Sequence, residues 1–257
     1  MSRAAALKRE RWLPAALGFG TLAVLIVTLQ LLIEFEFVSR FIVPTPLEIV
    51  AALPRVIVDE HGFELFLMTA GEALAACLLV AVFGIAGGVL LHRYTLLRAA
   101  TETWVAAAAA APLVLLYPLY LVLFGRNATT IVMMGFTSGL APVILKTLEG
   151  LSGTRRVLID VGRSFNLTPS QQFWKILFPA ALPTIFVGLR LGLIFALINI
   201  VGVEYLINFG GLGRLIGDLA ERFDIPGTYA AIMFVILVSV GVFALTERVE
   251  RWLRPGT

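Results

Sequence analysis

The sequence predicts an all-α, polytopic membrane protein with six transmembrane helices, and three observations carry that reading. Of 257 residues, 59% are hydrophobic and only 14% charged, with a mean hydropathy of +0.94. A soluble domain is about 45–50% apolar and roughly 25% charged. Six windows are apolar over the length of about 20 residues that a bilayer crossing needs. The basic residues between those windows also sort onto two sides, as the positive-inside rule requires. A soluble enzyme, a disordered chain and a small disulfide scaffold are excluded together. Cys77 is the single cysteine and lies in an apolar run, so no disulfide or zinc cluster can form within the chain. The calculated pI near 9.3 is read as asymmetry between membrane faces, not as a nucleic-acid surface.

The first window, 14–33, follows Arg3, Lys8, Arg9 and Arg11. It imitates a signal peptide, but its apolar stretch is longer than a signal core and no small-x-small site follows before Glu34, so it is read as a retained helix. The second window is 70–91. The third, 104–124, holds an alanine run followed by Pro112, Tyr117, Pro118 and Tyr120. Its small residues permit close helix approach, and its prolines are expected to kink the helix. The fourth, 128–146, is the weakest, interrupted by Gly135, Thr137, Ser138, Gly139 and Pro142. The fifth, 185–207, carries Arg190, Asn199 and Glu204, and the sixth is 229–246. Gly135 with Gly139, and Gly188 with Gly192, have the G-x-x-x-G spacing of helix–helix or dimer contacts. The gaps 34–69 and 147–184 are too short for independent soluble domains, so residues 1–257 form one membrane domain.

Six crossings put both termini on one side. That side collects Arg3, Lys8, Arg9, Arg11, Arg93, Arg98, Lys146, Arg155, Arg156, Arg163, Lys175, Arg248, Arg251 and Arg254. The other side has Arg40, Arg55, Arg126, Arg214 and Arg222, and Arg190 falls inside the fifth window. Fourteen against five places both termini in the cytoplasm.

Catalytic chemistry is not expected. None of the three lysines follows a glycine, so there is no phosphate-binding P-loop. His61 and His92 stand in loops without metal-ligand spacing, and Ser138 has no membrane histidine to serve as its base. No metal and no cofactor of this chain's own is expected. Gradient-driven carriers bury ionisable groups mid-membrane. Arg190 lies roughly 9 Å into its window and Glu204 roughly 21 Å further along. Each reads either as an interfacial anchor or satisfied helix contact, or as a functional group. Asn199, near the centre of the fifth window, needs another helix, water or ligand. With Tyr117 and Tyr120 it makes up the candidate translocation-pathway set.

The most informative stretch is the loop 147–184. Val157, Leu158, Val161 and Phe165 follow helical spacing. After an Asn166-Leu167 turn, Thr168 is an N-cap, Pro169 the first helical residue, and Gln171 completes a capping box. The second helix offers Phe173, Trp174, Ile176 and Leu177 as its apolar face and is expected to end near Pro179. Such a segment either lies on lipid headgroups or docks in a groove of a partner protein.

These residues resemble the E-A-A-x3-G-x9-I-x-L-P motif of permease subunits of bacterial binding-protein-dependent ABC importers. Asp160-Val161-Gly162 stands for E-A-A, Asn166 for the glycine, and Ile176, Phe178 and Pro179 for I-x-L-P, with spacing kept throughout. Asn for Gly preserves a left-handed turn. Val43-Pro44-Thr45-Pro46, Ala111-Pro112, Gly188-Leu189-Arg190, Glu204 and Gly210-Gly211-Leu212-Gly213 are similar to the sulfonate, nitrate and taurine branch. The resemblance implies a type I ABC importer permease fold in the bacterial inner membrane. It also implies a coupling helix seated on a separate cytoplasmic ATPase dimer that holds ATP and Mg, and a second permease subunit, taken as an identical copy. An extracytoplasmic binding protein, periplasmic or lipid-anchored, would deliver a small anionic solute such as a sulfonate, nitrate, taurine or an aromatic acid. The coupling residues would be Asp160, Val161, Gly162, Asn166, Thr168, Pro169, Phe173, Trp174, Ile176 and Pro179. A self-contained gradient-driven carrier is the alternative, and a membrane-bound enzyme or scaffold is a third.

Overall fold

A computed structural model describes residues 3–253. Arg254 lies outside the described residues, as do the side chains of Arg3, Lys8, Arg9, Arg11 and Arg251. Among the described residues the chain is mostly helical, joined by short turns and one longer connection at 35–45. Its elements are α1 (Arg3–Glu34), α2 (Pro46–Val58), α3 (Gly62–Arg93), α4 (Thr95–Ala110), α5 (Tyr117–Phe124) and α6 (Ala128–Ser152), followed by α7 (Arg156–Ser164), α8 (Pro169–Gln172), α9 (Phe178–Ile207), α10 (Gly211–Glu221) and α11 (Ile225–Leu253).

Helices α3, α6 and α9 form the centre, and small residues let them approach closely. Gly139 of α6 faces Gly192 of α9: a methyl on Gly139 would stand 2.7 Å from the Gly192 carbonyl oxygen. The G-x-x-x-G pairs therefore mark a contact between helices of one chain. Around it Ala73, Ala76, Ile131, Met134, Ala196, Ile200 and Val203 close the middle of the core. Two further clusters lie at opposite ends. Val56, Leu212, Leu215, Leu219, Ala230 and Ala231 join α2, α10 and α11. Leu151, Ala181 and Ile185 lie under the α7–α8 hairpin.

The Val43–Pro46 stretch resolves into a helix start. Thr45 Oγ1 accepts from the Glu48 amide at 3.3 Å, Glu48 Oε2 accepts from the Thr45 amide at 2.8 Å, and Pro46 opens α2. Asn127 caps α6 by accepting from the amides of Thr129 and Thr130. Arg126 donates to the Ile207 carbonyl at 2.7 Å and to that of Asn208, covering the end of α9. There Asn208, at φ 47°, provides the left-handed residue that stops a helix.

Two expectations are corrected. The window 104–124 is not one kinked helix: α4 ends at Ala110, a short 3-10 turn spans Leu113–Leu116, and α5 departs at 92°. Pro112 has no amide to continue α4 and holds Ala111 extended at φ −74°, ψ 142°. Five described helices are long and apolar enough to cross a membrane, and the broken α4–α5 pair brings the number to six if counted as one.

The second correction concerns Pro179. The hairpin's second helix does not end there but runs unbroken from Pro169 to Ile207. Pro179 cannot donate to the residue four before it, and a π turn over Phe173–Leu177 takes up the mismatch, with the Phe178 amide donating to the Phe173 carbonyl.

Candidate functional site: the α7–α8 hairpin

Helix α7 begins after Arg155 and packs on the start of the long helix through one buried residue, Gly162. A methyl at Gly162 would lie 2.5 Å from Ile176 Cδ1, so the Ile176 side chain fills the space that the glycine leaves. This is what the positions matching the motif's second Ala and its Ile do physically. Asn166 adopts φ 51°, the left-handed turn expected of it. The Leu167 amide then donates to the Gly162 carbonyl at 3.1 Å, closing the end of α7. Thr168 Oγ1 accepts from the Gln171 amide at 3.3 Å and Gln171 Oε1 accepts from the Thr168 amide at 3.0 Å, giving the predicted capping box with Pro169 in the first turn. Gln172 Nε2 donates to the Ile159 carbonyl at 3.2 Å and ties the two helices. Asp160 is exposed, 3.5 Å from Arg163 on the next turn, a pair that adds little stability in water.

The apolar face assigned from sequence is turned largely inward. Phe173, Ile176 and Leu177 are half-buried, and Phe173 and Leu177 pack on Leu151, Ala181 and Ile185. Trp174 remains 62% exposed, edge-on to Phe173 at 5.0 Å. The most exposed apolar side chains of the hairpin are on α7 and the turn that follows it: Val157 at 71% and Phe165 at 75%, with Val161 and Leu158 less so. Arg155, Arg156 and Arg163 are exposed around them. An apolar patch rimmed by cations has the composition of a protein–protein contact surface.

The candidate pathway residues fall in the middle of the bundle. Tyr117 and Tyr120 pack against the Ala196–Ile200–Met134 cluster, and the Tyr120 hydroxyl meets Thr137 Oγ1 at 2.6 Å. Asn199 is buried and its Nδ2 donates to the Phe195 carbonyl at 2.9 Å, within its own helix. Ser138 donates to the Gly135 and Phe195 carbonyls, which gives it a structural role. His61 and His92 lie at opposite ends of α3, and no three potential metal ligands cluster among the described residues.

Glu204 is a buried helix contact that is also hydrogen-bonded to a second acid, Glu72, whose Oε2 is buried without a partner. It is fully buried and accepts from Thr69 Oγ1 and from the Gly213 amide, both at 2.8 Å. Thr69 Oγ1 accepts in turn from the Leu212 amide at 2.9 Å. A methyl on Gly211 would strike the carboxylate and one on Gly213 the Val201 carbonyl at 2.2 Å. Gly210-Gly211-Leu212-Gly213 is therefore a cradle that seats the carboxylate at the N-terminus of α10. Thr69 and the Gly213 amide were not anticipated as partners. The legible signal was a membrane glutamate followed within six residues by a Gly-Gly-x-Gly run.

A broken-helix bundle of this kind, with a helical hairpin packed at one end, is the architecture of a polytopic membrane protein. The likeness extends to known proteins. The taurine transport system permease protein of Escherichia coli (strain K12) is 24% identical over 245 residues, covering 92% of this chain and 89% of its own. The formylaminopyrimidine transport permease protein of Halalkalibacterium halodurans is 25% identical, covering 88% and 92%. In structure, a chain of the inward-facing MetNI methionine ABC transporter superposes with a TM-score of 0.66 at 18% identity, over 78% of this chain and 98% of that one. Residues 81–255 match the family described as binding-protein-dependent transport system inner membrane component, and the chain belongs to it. It is thus an inner-membrane, multi-pass ABC importer permease with the type I permease fold.

Proposed function

We propose that this permease imports a small, anionic organic or inorganic solute, handed over by an extracytoplasmic binding protein. Conformational change is driven by a separate cytoplasmic ATPase dimer docked on the α7–α8 hairpin. The observation that carries the reading is the exposed face Val157–Val161–Phe165, ringed by arginines, on a hairpin continuous with a core helix. Pro169–Ile207 spans 39 residues, about 58 Å at helical rise. A displacement of the hairpin is transmitted along this rod into the centre, where α9 meets α3 and α6. Two such permeases, identical copies in the simplest assembly, enclose the path, and Tyr117, Tyr120 and Asn199 are its candidate lining. ATP and Mg belong to the partner, and both termini face the cytoplasm with it. The taurine relative supports an anionic or zwitterionic solute.

Val161→Asp should abolish co-purification of a P-loop ATPase while leaving the thermal midpoint of the permease unchanged. Transport by the wild type that persists after ATP depletion would overturn the importer reading.

A further inference from the structure

Beside the hairpin, a cavity of about 750 Å³ opens between the end of α3 and the start of the long helix. Its floor is apolar: Val89, Phe173 and Leu177, all packed on the Leu151–Ala181–Ile185 cluster. Its mouth is polar, with His92 and Arg93 from α3, and Thr168 and Ser170 from the first turn of the long helix. Trp174 completes it, and no carboxylate lines it. Val89, His92 and Arg93 are spaced three and four apart, so they share one face of α3, with the imidazole and the guanidinium one turn beyond the apolar residue. The π turn supplies Phe173, Trp174 and Leu177, and π turns concentrate at functional sites.

Charge and depth narrow the occupant. Arg93 is exposed, lies over the Tyr94 ring, and has no carboxylate partner among the described residues. Arg98, by contrast, is taken by Glu102 at 2.7 Å and by Ser152. A guanidinium, an imidazole, two hydroxyls and an indole N–H around one cavity are all able to donate, and the matching ligand is a phosphodiester anion. The cavity sits where the apolar run of α3 gives way to basic residues, the level of headgroups. Below it, exposed Leu90 and half-buried Phe178 offer apolar surface on which acyl chains can lie.

We propose that this cavity binds the headgroup of an anionic phospholipid of the cytoplasmic leaflet, held by Arg93 and His92 against Trp174. The lipid would anchor the membrane-facing side of the hairpin while α7 remains free to dock. The inference rests on the membrane placement of the chain and on the cytoplasmic placement of the hairpin from the proposed function, but not on the ATPase reading.

The test uses the full chain, with whatever subunits co-purify, in phosphatidylcholine nanodiscs. Phosphatidylglycerol or additional phosphatidylcholine with brominated acyl chains is titrated in. The Trp174 signal is taken as the difference between wild type and Trp174→Phe. The expected result is saturable quenching by brominated phosphatidylglycerol at concentrations where brominated phosphatidylcholine quenches weakly. Arg93→Gln should weaken it about fivefold, the contribution of one basic residue near an anionic leaflet. Arg93→Lys should retain most of the preference, and Arg98→Gln all of it. Equal quenching by both lipids overturns the proposal, as does an Arg93→Gln variant that folds normally and binds unchanged. Displacement by inorganic phosphate would reassign the site to a free anion, and protection of Trp174 from both lipids by a co-purified subunit would reassign it to a protein. Either result refutes the lipid.

Discussion

Two glycines four residues apart in α10 should respond to alanine with opposite sign. At Gly213 an added methyl would stand 2.2 Å from the Val201 carbonyl oxygen and 2.6 Å from Glu204 Cβ. Neither obstacle is the free end of a flexible side chain, so α10 has to retreat from α9. Overpacking of this kind costs roughly 1–3 kcal/mol. The retreat also stretches the 2.8 Å bond from the Gly213 amide to Glu204 Oε2, leaving a buried carboxylate short of a donor, for a further 1–3 kcal/mol or so. The sum is about 4 kcal/mol, or roughly 8–16 °C in midpoint for a chain of this size.

Gly217 is also buried in α10, yet its added methyl would meet only the Tyr205 ring, at 3.7 Å, which is ordinary contact. There alanine gains helix propensity of about 1 kcal/mol and should raise the midpoint by roughly 2–4 °C. Thermal unfolding of both variants in the same detergent, followed by intrinsic fluorescence, reads the difference directly. Gly213→Ala and Gly217→Ala with indistinguishable midpoints would refute the cradle as the device that locks α10 to α9.

Other expectations concern the hairpin. Thr168→Ala removes the cap and should cost its helix about 1 kcal/mol, lowering substrate-stimulated ATPase activity without abolishing it. Gly162→Val should expel Ile176 from its seat and uncouple ATP hydrolysis from transport, while the midpoint of the membrane core stays within a few degrees of wild type. Phe165→Asp should do the same by spoiling the docking face, whereas Phe173→Asp, placed against Leu151 and Ala181, should also destabilise the fold. Equal midpoints for those two aspartate variants would contradict the inward packing of Phe173.

Much of this architecture was legible because lipid imposes severe and simple rules. A crossing needs a run of apolar residues, and such runs were read directly at 70–91, 128–146, 185–207 and 229–246. The hairpin was legible for a different reason. Thr168, Pro169 and Gln171 form a local code whose hydrogen bonds close within four residues, so no distant contact is needed to interpret them. The same holds for Asn166, whose left-handed turn depends on its own backbone. What escaped was orientation about the helix axis. Phe173 and Val161 both belong to apolar faces at helical spacing, and only the presence of Leu151 and Ala181 beneath one of them decides which is buried.

Glu204 and the prolines show where that limit lies. A glutamate near the end of an apolar helix is compatible with an anchor, a proton site or a structural pair. Its surroundings come from far along the chain: Thr69, 135 positions away, the Glu72 side chain, and an amide nine positions on. The prolines share one chemical defect, a missing donor, and resolve it in three ways. Pro112 breaks its helix, Pro179 is absorbed by a π turn, and Pro142 and Pro183 lie within continuous α-helix. The difference follows from what each neighbour supplies. Pro142 is buried at the packed α3–α6–α9 centre, where opening the helix would forfeit the close contacts of Gly139 with Gly192 and Val143 with Gly84. Ala111-Pro112 is exposed and has no such packing to lose, so the chain turns there. In a membrane protein, then, a proline reports a weakness in the backbone ladder, while the packing around it determines whether that weakness becomes a hinge, a register shift or nothing at all.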